Sequence, residues 1–140
     1  MKNNTAKFDG GDGIYSYYCY NDSYQTSTFT GNTLNHDSYG LYSEYDWKAK
    51  VSGNTANSNT NNGFYIYYAS GYVVTKNTTN DNGASGVLFY TDDNYYYPLV
   101  VAKNSSSGNH RYGFESDYAV FGTDDSGGGN SQGLFYEVSG

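Results

Sequence analysis

A glycine followed by an apolar residue, and usually then by an aromatic one, recurs six times along the chain. Successive openings are 27, 23, 23, 27 and 20 residues apart. A regular period of this size is typical of folds built by repeating one supersecondary unit. The openings are Gly13-Ile14-Tyr15, Gly40-Leu41-Tyr42, Gly63-Phe64-Tyr65, Gly86-Val87-Leu88, Gly113-Phe114 and Gly133-Leu134-Phe135.

Each unit reads as a strand, a short kink, a second strand and a polar stretch. In the third unit these are Phe64–Tyr68, Ala69-Ser70-Gly71, Tyr72–Lys76 and Asn77–Ser85. Tyr, Thr, Val and Phe dominate the strand segments, and Gly, Asn, Ser and Asp fill the spaces between them, so the sequence predicts an all-β fold. Met1–Asp12 and Gly133–Gly140 together would complete a sixth two-strand unit.

A longer period lies on top of the short one. A shift of 73 residues pairs Asn4 with Asn77, Gly40 with Gly113 and Tyr45 with Tyr118. We therefore interpret residues 1–140 as one domain that arose by internal duplication, with halves of about 1–72 and 73–140. A chain of 140 residues is long enough for a single modest core.

Three architectures fit such repeats: a parallel β-helix, a closed antiparallel array of hairpins such as a β-trefoil or barrel, and a sandwich. A sandwich does not require regular spacing. The parallel β-helix is favoured because stacked coils align their polar segments into hydrogen-bonded ladders, whereas separate hairpins leave them as long exposed loops. These segments are Gly53–Asn62, Asn77–Ser85, Asn104–Asn109 and Thr123–Gln132.

Composition excludes several classes of function. Seven Lys and Arg against fourteen Asp and Glu give a net charge of −7, so the chain lacks the basic surface that nucleic acids require. No segment has the roughly 18 consecutive apolar residues of a membrane span. A single cysteine, Cys19, excludes an intramolecular disulfide. Aliphatic residues are few, and the nineteen tyrosines supply much of the large side-chain surface.

The phrases Tyr39-Gly40-Leu41-Tyr42-Ser43 and Tyr112-Gly113-Phe114-Glu115-Ser116, with Asn-, Thr- and Gly-rich stretches between them, resemble the coils of β-helical surface adhesins such as bacterial autotransporter passenger domains. That resemblance implies surface display and adhesion rather than a shared catalytic set. Met1–Gly13 is polar and does not read as a secretory leader. The expected location is extracellular, on a cell surface or in a virion.

Carboxylates beside aromatic rings suggest a ligand site in each half. Sugars stack their C–H faces on rings and donate hydroxyl protons to a carboxylate. The sequence therefore predicts two equivalent saccharide sites. The candidate residues are Tyr42, Glu44 and Trp47 in the first half and Glu115, Asp117 and Tyr118 in the second.

Other chemistry finds less support. Acidic pairs such as Asp92-Asp93 and Asp124-Asp125 suit calcium, but Tyr15 stands where a calcium-binding nonapeptide after Gly10-Gly11 needs an aspartate. We expect no cofactor, with calcium as the alternative, and no enzyme activity. The predicted function is a structural or adhesive surface, matrix or virion protein. It is expected to bind a saccharide or cell-surface partner or to self-assemble into a fibre. A carbohydrate-binding module or lectin is the alternative.

Overall fold

A computed structural model describes residues 1–7, 10–19, 26–91, 99–117 and 124–137. All of the regular structure in these residues is β-strand. The strands are β1 (Thr5–Lys7), β2 (Ile14–Tyr17), β3 (Thr28–Thr30), β4 (Thr33–Asn35), β5 (Leu41–Glu44), β6 (Lys50–Ser52), β7 (Phe64–Ala69), β8 (Val73–Thr75), β9 (Thr78–Asn80), β10 (Val87–Thr91), β11 (Val100–Ala102), β12 (Ser105–Ser107), β13 (Tyr112–Ser116) and β14 (Gly133–Glu137).

The strands stack into a parallel solenoid of about five turns. Every pairing between the strands named above is parallel. One side is a six-stranded sheet in the order β14-β13-β10-β7-β5-β2, and the second is a four-stranded sheet in the order β11-β8-β6-β3. The third side consists of β1-β4 and β9-β12, linked through single bridges of Thr55 to Thr33 and Thr78.

This arrangement confirms the parallel β-helix and excludes the antiparallel hairpin array. The two expected strands are present in the units that open at Gly13, Gly40, Gly63 and Gly86. In the first, third and fourth units the polar stretch adds a third short strand, such as β9 within Asn77–Ser85. The closed sixth unit is wrong, because β2 and β14 lie at opposite edges of the six-stranded sheet. The last opening is also displaced by one residue, since Gly133 pairs with Tyr112 and Phe135 pairs with Phe114.

The interior is filled mainly by apolar side chains from the inward positions of the two larger sheets. In the six-stranded sheet the inward row begins Ile14, Leu41, Phe64, Val87 and Phe114, one strand after another. Val51 and Val74 lie in the second sheet and are fully buried. Burial of these side chains provides the main driving force for folding.

Asparagine ladders run along the solenoid at two corners. The backbone N–H and the side-chain Nδ2 of Asn54 both donate to Oδ1 of Asn77, at 2.9 and 3.0 Å, and Asn77 repeats both bonds to Asn104. The first ladder comprises Asn4, Asn32, Asn54, Asn77, Asn104 and Asp125, and the second comprises Asp37, Asn59, Asn82, Asn109 and Asn130. The aligned polar segments therefore form the ladders that favoured a β-helix.

The glycines of the first five openings are required by close packing between coils, whereas a Cβ atom on Gly133 would meet nothing within 4 Å. A Cβ atom on Gly40 would lie 2.6 Å from the carbonyl oxygen of Gly63, and one on Gly63 would lie 2.6 Å from that of Gly86. Backbone atoms cannot move aside as the end of a side chain can. The recurring glycine therefore marks where the chain turns tightly into the six-stranded sheet.

Substituting Gly63 with alanine is expected to lower the free energy of unfolding by about 2–3 kcal/mol, because the added methyl group must displace backbone. Gly128→Ala is the matched control, since a Cβ there meets nothing within 4 Å, and a change below about 0.5 kcal/mol is expected. Urea denaturation followed by circular dichroism measures both variants. Equal stability of the two would contradict the packing argument.

Candidate functional site

The outward side of the six-stranded sheet carries a tyrosine-rich surface. In β5, Leu41 and Ser43 point inward and are buried, so Tyr42 and Glu44 point outward. Because the strands are parallel and in register, outward residues form rows across the sheet. The first row is Tyr15, Tyr42, Tyr65, Leu88, Glu115 and Tyr136, and the second contains Tyr17, Glu44, Tyr67 and Tyr90.

The rings of neighbouring coils contact one another. Tyr42 and Tyr65 have centroids 4.9 Å apart, and Tyr15 meets Tyr42 edge-on at 5.2 Å. Distances of this size fall within the favourable range for aromatic pairs. We call this surface the tyrosine face. Its members are Tyr15, Tyr17, Tyr18, Tyr39, Tyr42, Tyr45, Tyr65, Tyr67, Tyr68, Tyr90, Tyr112 and Tyr136.

One column of the tyrosine face is held in an uncommon backbone conformation. Tyr18, Tyr45 and Tyr68 have φ angles of 51, 54 and 53°, which is the left-handed region. Their rings stack, with Tyr45 and Tyr68 at 4.6 Å and an interplanar angle of 13°. A left-handed bulky residue costs about 1–3 kcal/mol, so ring stacking and the buried contacts of these turns must offset that cost.

Glu44 places a negative charge among the rings. The hydroxyl of Tyr15 donates to Oε2 of Glu44 at 3.3 Å. Partial burial, followed by the charge of Glu44, raises the pKa of Tyr42 to about 12. Burial also raises the pKa of Tyr65 to about 12, with a further contribution from Tyr42. The phenols of Tyr42 and Tyr65 therefore remain neutral donors well into the alkaline range.

These pKa values predict how stability depends on alkaline pH. In the unfolded chain a tyrosine titrates near 10.0, whereas folded Tyr42 and Tyr65 hold their protons to about 12. Their contribution is complete below about pH 10 and is lost between about pH 10 and 12, because only the unfolded state gains from deprotonation in that window. The free energy of unfolding, measured by urea denaturation at several pH values between about 10 and 12, should fall less steeply with pH for Tyr42→Phe/Tyr65→Phe than for the wild type. Parallel curves for the two proteins would contradict the assignment of the raised pKa values to these residues.

The predicted residues of the first half are only partly brought together. Tyr42 and Glu44 are two residues apart on one outward side of β5. Trp47 lies beyond the end of that strand, where it forms a single bridge to Ser70. It therefore stands outside both rows of the tyrosine face. The structure therefore brings Tyr42 and Glu44 together on one outward surface and places Trp47 apart from them. Ligand binding by the three residues stays a prediction.

In the second half, Glu115 is engaged by neighbouring side chains. Its side chain is buried, with Oε1 2.9 Å from the Arg111 guanidinium and Oε2 accepting from the Ser85 hydroxyl at 2.5 Å. Strand alternation places Glu115 outward, but Arg111, four residues earlier, covers it. Ligand binding by Glu115 stays a prediction. Asp117 is exposed, and Tyr118 lies outside the described residues.

Asp117 is fixed by a neighbouring strand. Its Oδ1 accepts from the backbone N–H of Thr91 at 2.9 Å and from the Thr91 hydroxyl at 3.2 Å. The two halves thus present different surroundings: Glu44 lies among tyrosines, whereas Asp117 lies beside an ion pair. The prediction of two equivalent sites fails for this reason.

A recess interrupts the tyrosine face next to Asp117. The coils before it place Tyr15, Tyr42 and Tyr65 in the first row, and the shorter Leu88 follows them. The resulting pocket has a volume of about 350 Å³. Its lining is Leu88, Tyr90, Arg111, Tyr112, Glu115, Ser116, Asp117 and Tyr136. The repeat contained the signal for this recess, because Leu88 breaks the aromatic pattern of the openings.

A buried polar cluster beneath the face was not predicted. Asp46 is fully buried, and its Oδ2 accepts from the hydroxyls of Ser16 at 2.5 Å and Ser43 at 2.7 Å. Ser43 also lies 2.8 Å from the hydroxyl of Tyr72, whose pKa is raised by burial. Asp46 directly follows Tyr45 and therefore fixes the turn that carries the stacked column.

The model for right-handed β-helix regions matches residues 1–135 of this chain. The chain belongs to that family. No curated protein and no solved structure matches it. The β-helical part of the expected resemblance is thus confirmed, and its adhesin part stays a prediction.

The acidic turns of this β-helix take different roles. Asp125 is a ladder member, because its Oδ1 accepts from Asn104 N and Nδ2 at 2.8 Å. Asp92-Asp93 lies outside the described residues.

Within the described ranges no group of three or more His, Cys, Asp or Glu could hold a metal ion. No helix in those ranges is long and apolar enough to cross a membrane. Calcium binding stays a prediction.

Proposed function

We propose that this β-helix is a non-enzymatic adhesive protein of a cell surface, matrix or virion, and that its tyrosine face binds an extended saccharide. The single observation that carries the proposal is the array of contacting, partly exposed tyrosines that runs from Tyr15 to Tyr90 on the six-stranded sheet. Ring faces stack on the C–H surfaces of pyranoses, while the phenol hydroxyls exchange hydrogen bonds with sugar hydroxyls.

A flat array suits a polymer better than a small molecule. Adjacent strands are about 4.8 Å apart, so each coil presents rings at a regular interval along the solenoid. The rings are held by their neighbours, and little side-chain freedom is lost on binding. Rigid, amphipathic tyrosines are common at protein binding surfaces for that reason.

The β-helix family includes pectate lyases and other enzymes. The proposal of a non-catalytic role therefore depends on how far apart the carboxylates of the tyrosine face lie and on what they contact. A two-carboxylate glycosidase needs its acid and its nucleophile or base about 5–10 Å apart. Glu44 and Asp117 are separated by three strand intervals, or about 14 Å. Glu115 is nearer to Asp117, but both of its oxygens are engaged by Arg111 and Ser85.

Adsorption to insoluble polysaccharides tests the proposal. Wild-type protein is expected to bind cellulose, chitin or a related matrix, and Tyr42→Ser/Tyr65→Ser to bind at least about tenfold more weakly, because central aromatic contacts dominate binding energies. The matched control is Val73→Ser/Val100→Ser, which removes two exposed side chains from the four-stranded sheet.

The control variant should bind within about twofold of the wild type. Absence of wild-type binding across a broad polysaccharide panel would overturn the saccharide proposal. Equal losses in the two double variants would show that the tyrosine face is not the binding surface. Fibre formation is a separate prediction that light scattering across a wide concentration range checks.

A further inference from the structure

We infer that the recess at Leu88 binds a single amino-sugar unit through its ammonium group, as the selective subsite of the tyrosine face. This inference rests on the proposed saccharide-binding function. It is carried by three features of the recess: its shape, its aromatic walls and its balance of charge.

The shape comes from the interrupted row. Leu88 lies between Tyr65 and Glu115 in register, and its shorter side chain leaves a hollow where the previous coils carry a ring. The volume of about 350 Å³ is at the small end of ligand pockets. A hollow of this size accepts one sugar unit of a chain that lies along the face.

The walls of the recess are aromatic. Tyr112 and Tyr136 stack with centroids 4.9 Å apart and an interplanar angle of 26°. Tyr90 is on the opposite side, one strand before, and is 40% exposed. Rings arranged in this way attract the C–H face of a pyranose, and their electron-rich faces also attract a cation.

The charges of the recess favour a cationic group over an anionic one. The Arg111 guanidinium forms an ion pair with Glu115 at 2.9 Å, so these two charges cancel. Asp117 is the remaining charged residue of the lining, and it is exposed at the rim. An ammonium group is therefore attracted to Asp117, whereas the carboxylate of a uronic acid is repelled.

Two probes separate the ammonium group from the sugar ring. β-1,4-linked trisaccharides of glucosamine and of N-acetylglucosamine have the same backbone, and only the first is cationic. By calorimetry at physiological salt, the wild type is expected to bind the glucosamine trisaccharide about three- to fivefold more tightly, as an exposed charge pair allows.

Three variants locate the effect. Asp117→Asn keeps the Oδ1 acceptor used by Thr91 and should abolish the preference while leaving binding of the acetylated probe unchanged. Leu88→Tyr extends the aromatic row by one coil and fills the recess, so it should weaken the binding of both trisaccharides about tenfold. Asp124→Asn removes another exposed carboxylate and should preserve the preference, which controls for general attraction to an acidic protein.

The outcomes distinguish the two proposals. The wild type could bind polysaccharide but show no preference for the glucosamine trisaccharide, or bind neither trisaccharide. Either result overturns the proposal for the recess and leaves the proposal for the tyrosine face standing. A preference that survives Asp117→Asn, or that Asp124→Asn also removes, overturns the role of Asp117. Unchanged binding by Leu88→Tyr overturns the location. Absence of wild-type binding to every saccharide overturns the proposed function itself.

Discussion

Replacing Asn77 with alanine is expected to lower the free energy of unfolding by about 3–5 kcal/mol, because each buried polar group left without a partner costs about 1–3 kcal/mol. Its Oδ1 accepts two bonds from Asn54, and its Nδ2 donates to Val51 O and to Asn104 Oδ1. Alanine removes all four bonds within a closed interior. Urea denaturation followed by circular dichroism gives the change.

Two further variants test whether the ladder is the cause. Asn61 is partly buried and donates one side-chain bond, to the Ser38 hydroxyl, so Asn61→Ala should cost about 1 kcal/mol. Asn77→Asp retains the acceptor for Asn54 but loses both donations, and we expect an intermediate loss. If Asn77→Ala costs no more than Asn61→Ala, the ladder does not stabilise the solenoid as argued.

The ladder was predictable because it follows from the repeat. Stacked coils bring equivalent residues together at one strand interval, and an amide side chain both donates and accepts. Asn54, Asn77 and Asn104 begin three successive polar segments or stand next to their first residue. The same logic predicted the parallel pairing, since the first five opening glycines stand at equivalent positions in successive coils.

The third strand of each coil could not be read in the same way. Segments such as Ser105–Ser107 are three residues long and have no apolar alternation. Their strand conformation depends on pairing with the coils above and below, which is a tertiary effect. The displaced last opening has a similar origin, because pairing of Phe135 with Phe114 outweighed alignment of the two glycines.

The candidate site was predicted in part because residue type and strand alternation place Tyr42 and Glu44 on one outward surface. The pairing of Glu115 was missed because it depends on the reach of two side chains, Arg111 and Ser85, from outside its own strand position. Sequence spacing gives the direction in which Glu115 points, but not which groups cover it. The left-handed column of Tyr18, Tyr45 and Tyr68 likewise has no local sequence signal.

The tyrosine face and the buried polar cluster form one structural unit. Tyr45 lies between half-buried, outward-pointing Glu44 and fully buried Asp46, and its φ of 54° turns the chain between these two environments. A left-handed residue persists only where its surroundings fix it. The hydrogen bonds of Asp46 supply that restraint from inside, while ring stacking with Tyr18 and Tyr68 acts from outside.

Asp46→Ala is therefore expected to lower the free energy of unfolding by about 4–5 kcal/mol and to loosen the stacked column. The substitution leaves the hydroxyls of Ser16 and Ser43 and the Cys19 backbone N–H without the carboxylate that accepts them at 2.5, 2.7 and 2.6 Å, and buried donors without acceptors account for a loss of this size. Asp124→Ala, at an exposed carboxylate, should change stability by less than about 0.5 kcal/mol.

Near-ultraviolet circular dichroism reports the stacked rings separately from global unfolding. For Asp46→Ala we expect a reduced tyrosine signal at temperatures where the strand signal in the far ultraviolet is retained, since the turn that holds Tyr45 loses its inner restraint. Tyr72→Phe removes only the bond to Ser43 and should cost about 1 kcal/mol with the column intact. An unchanged tyrosine signal in Asp46→Ala would show that ring stacking alone holds the left-handed turns, and that the cluster stabilises the core without positioning the face.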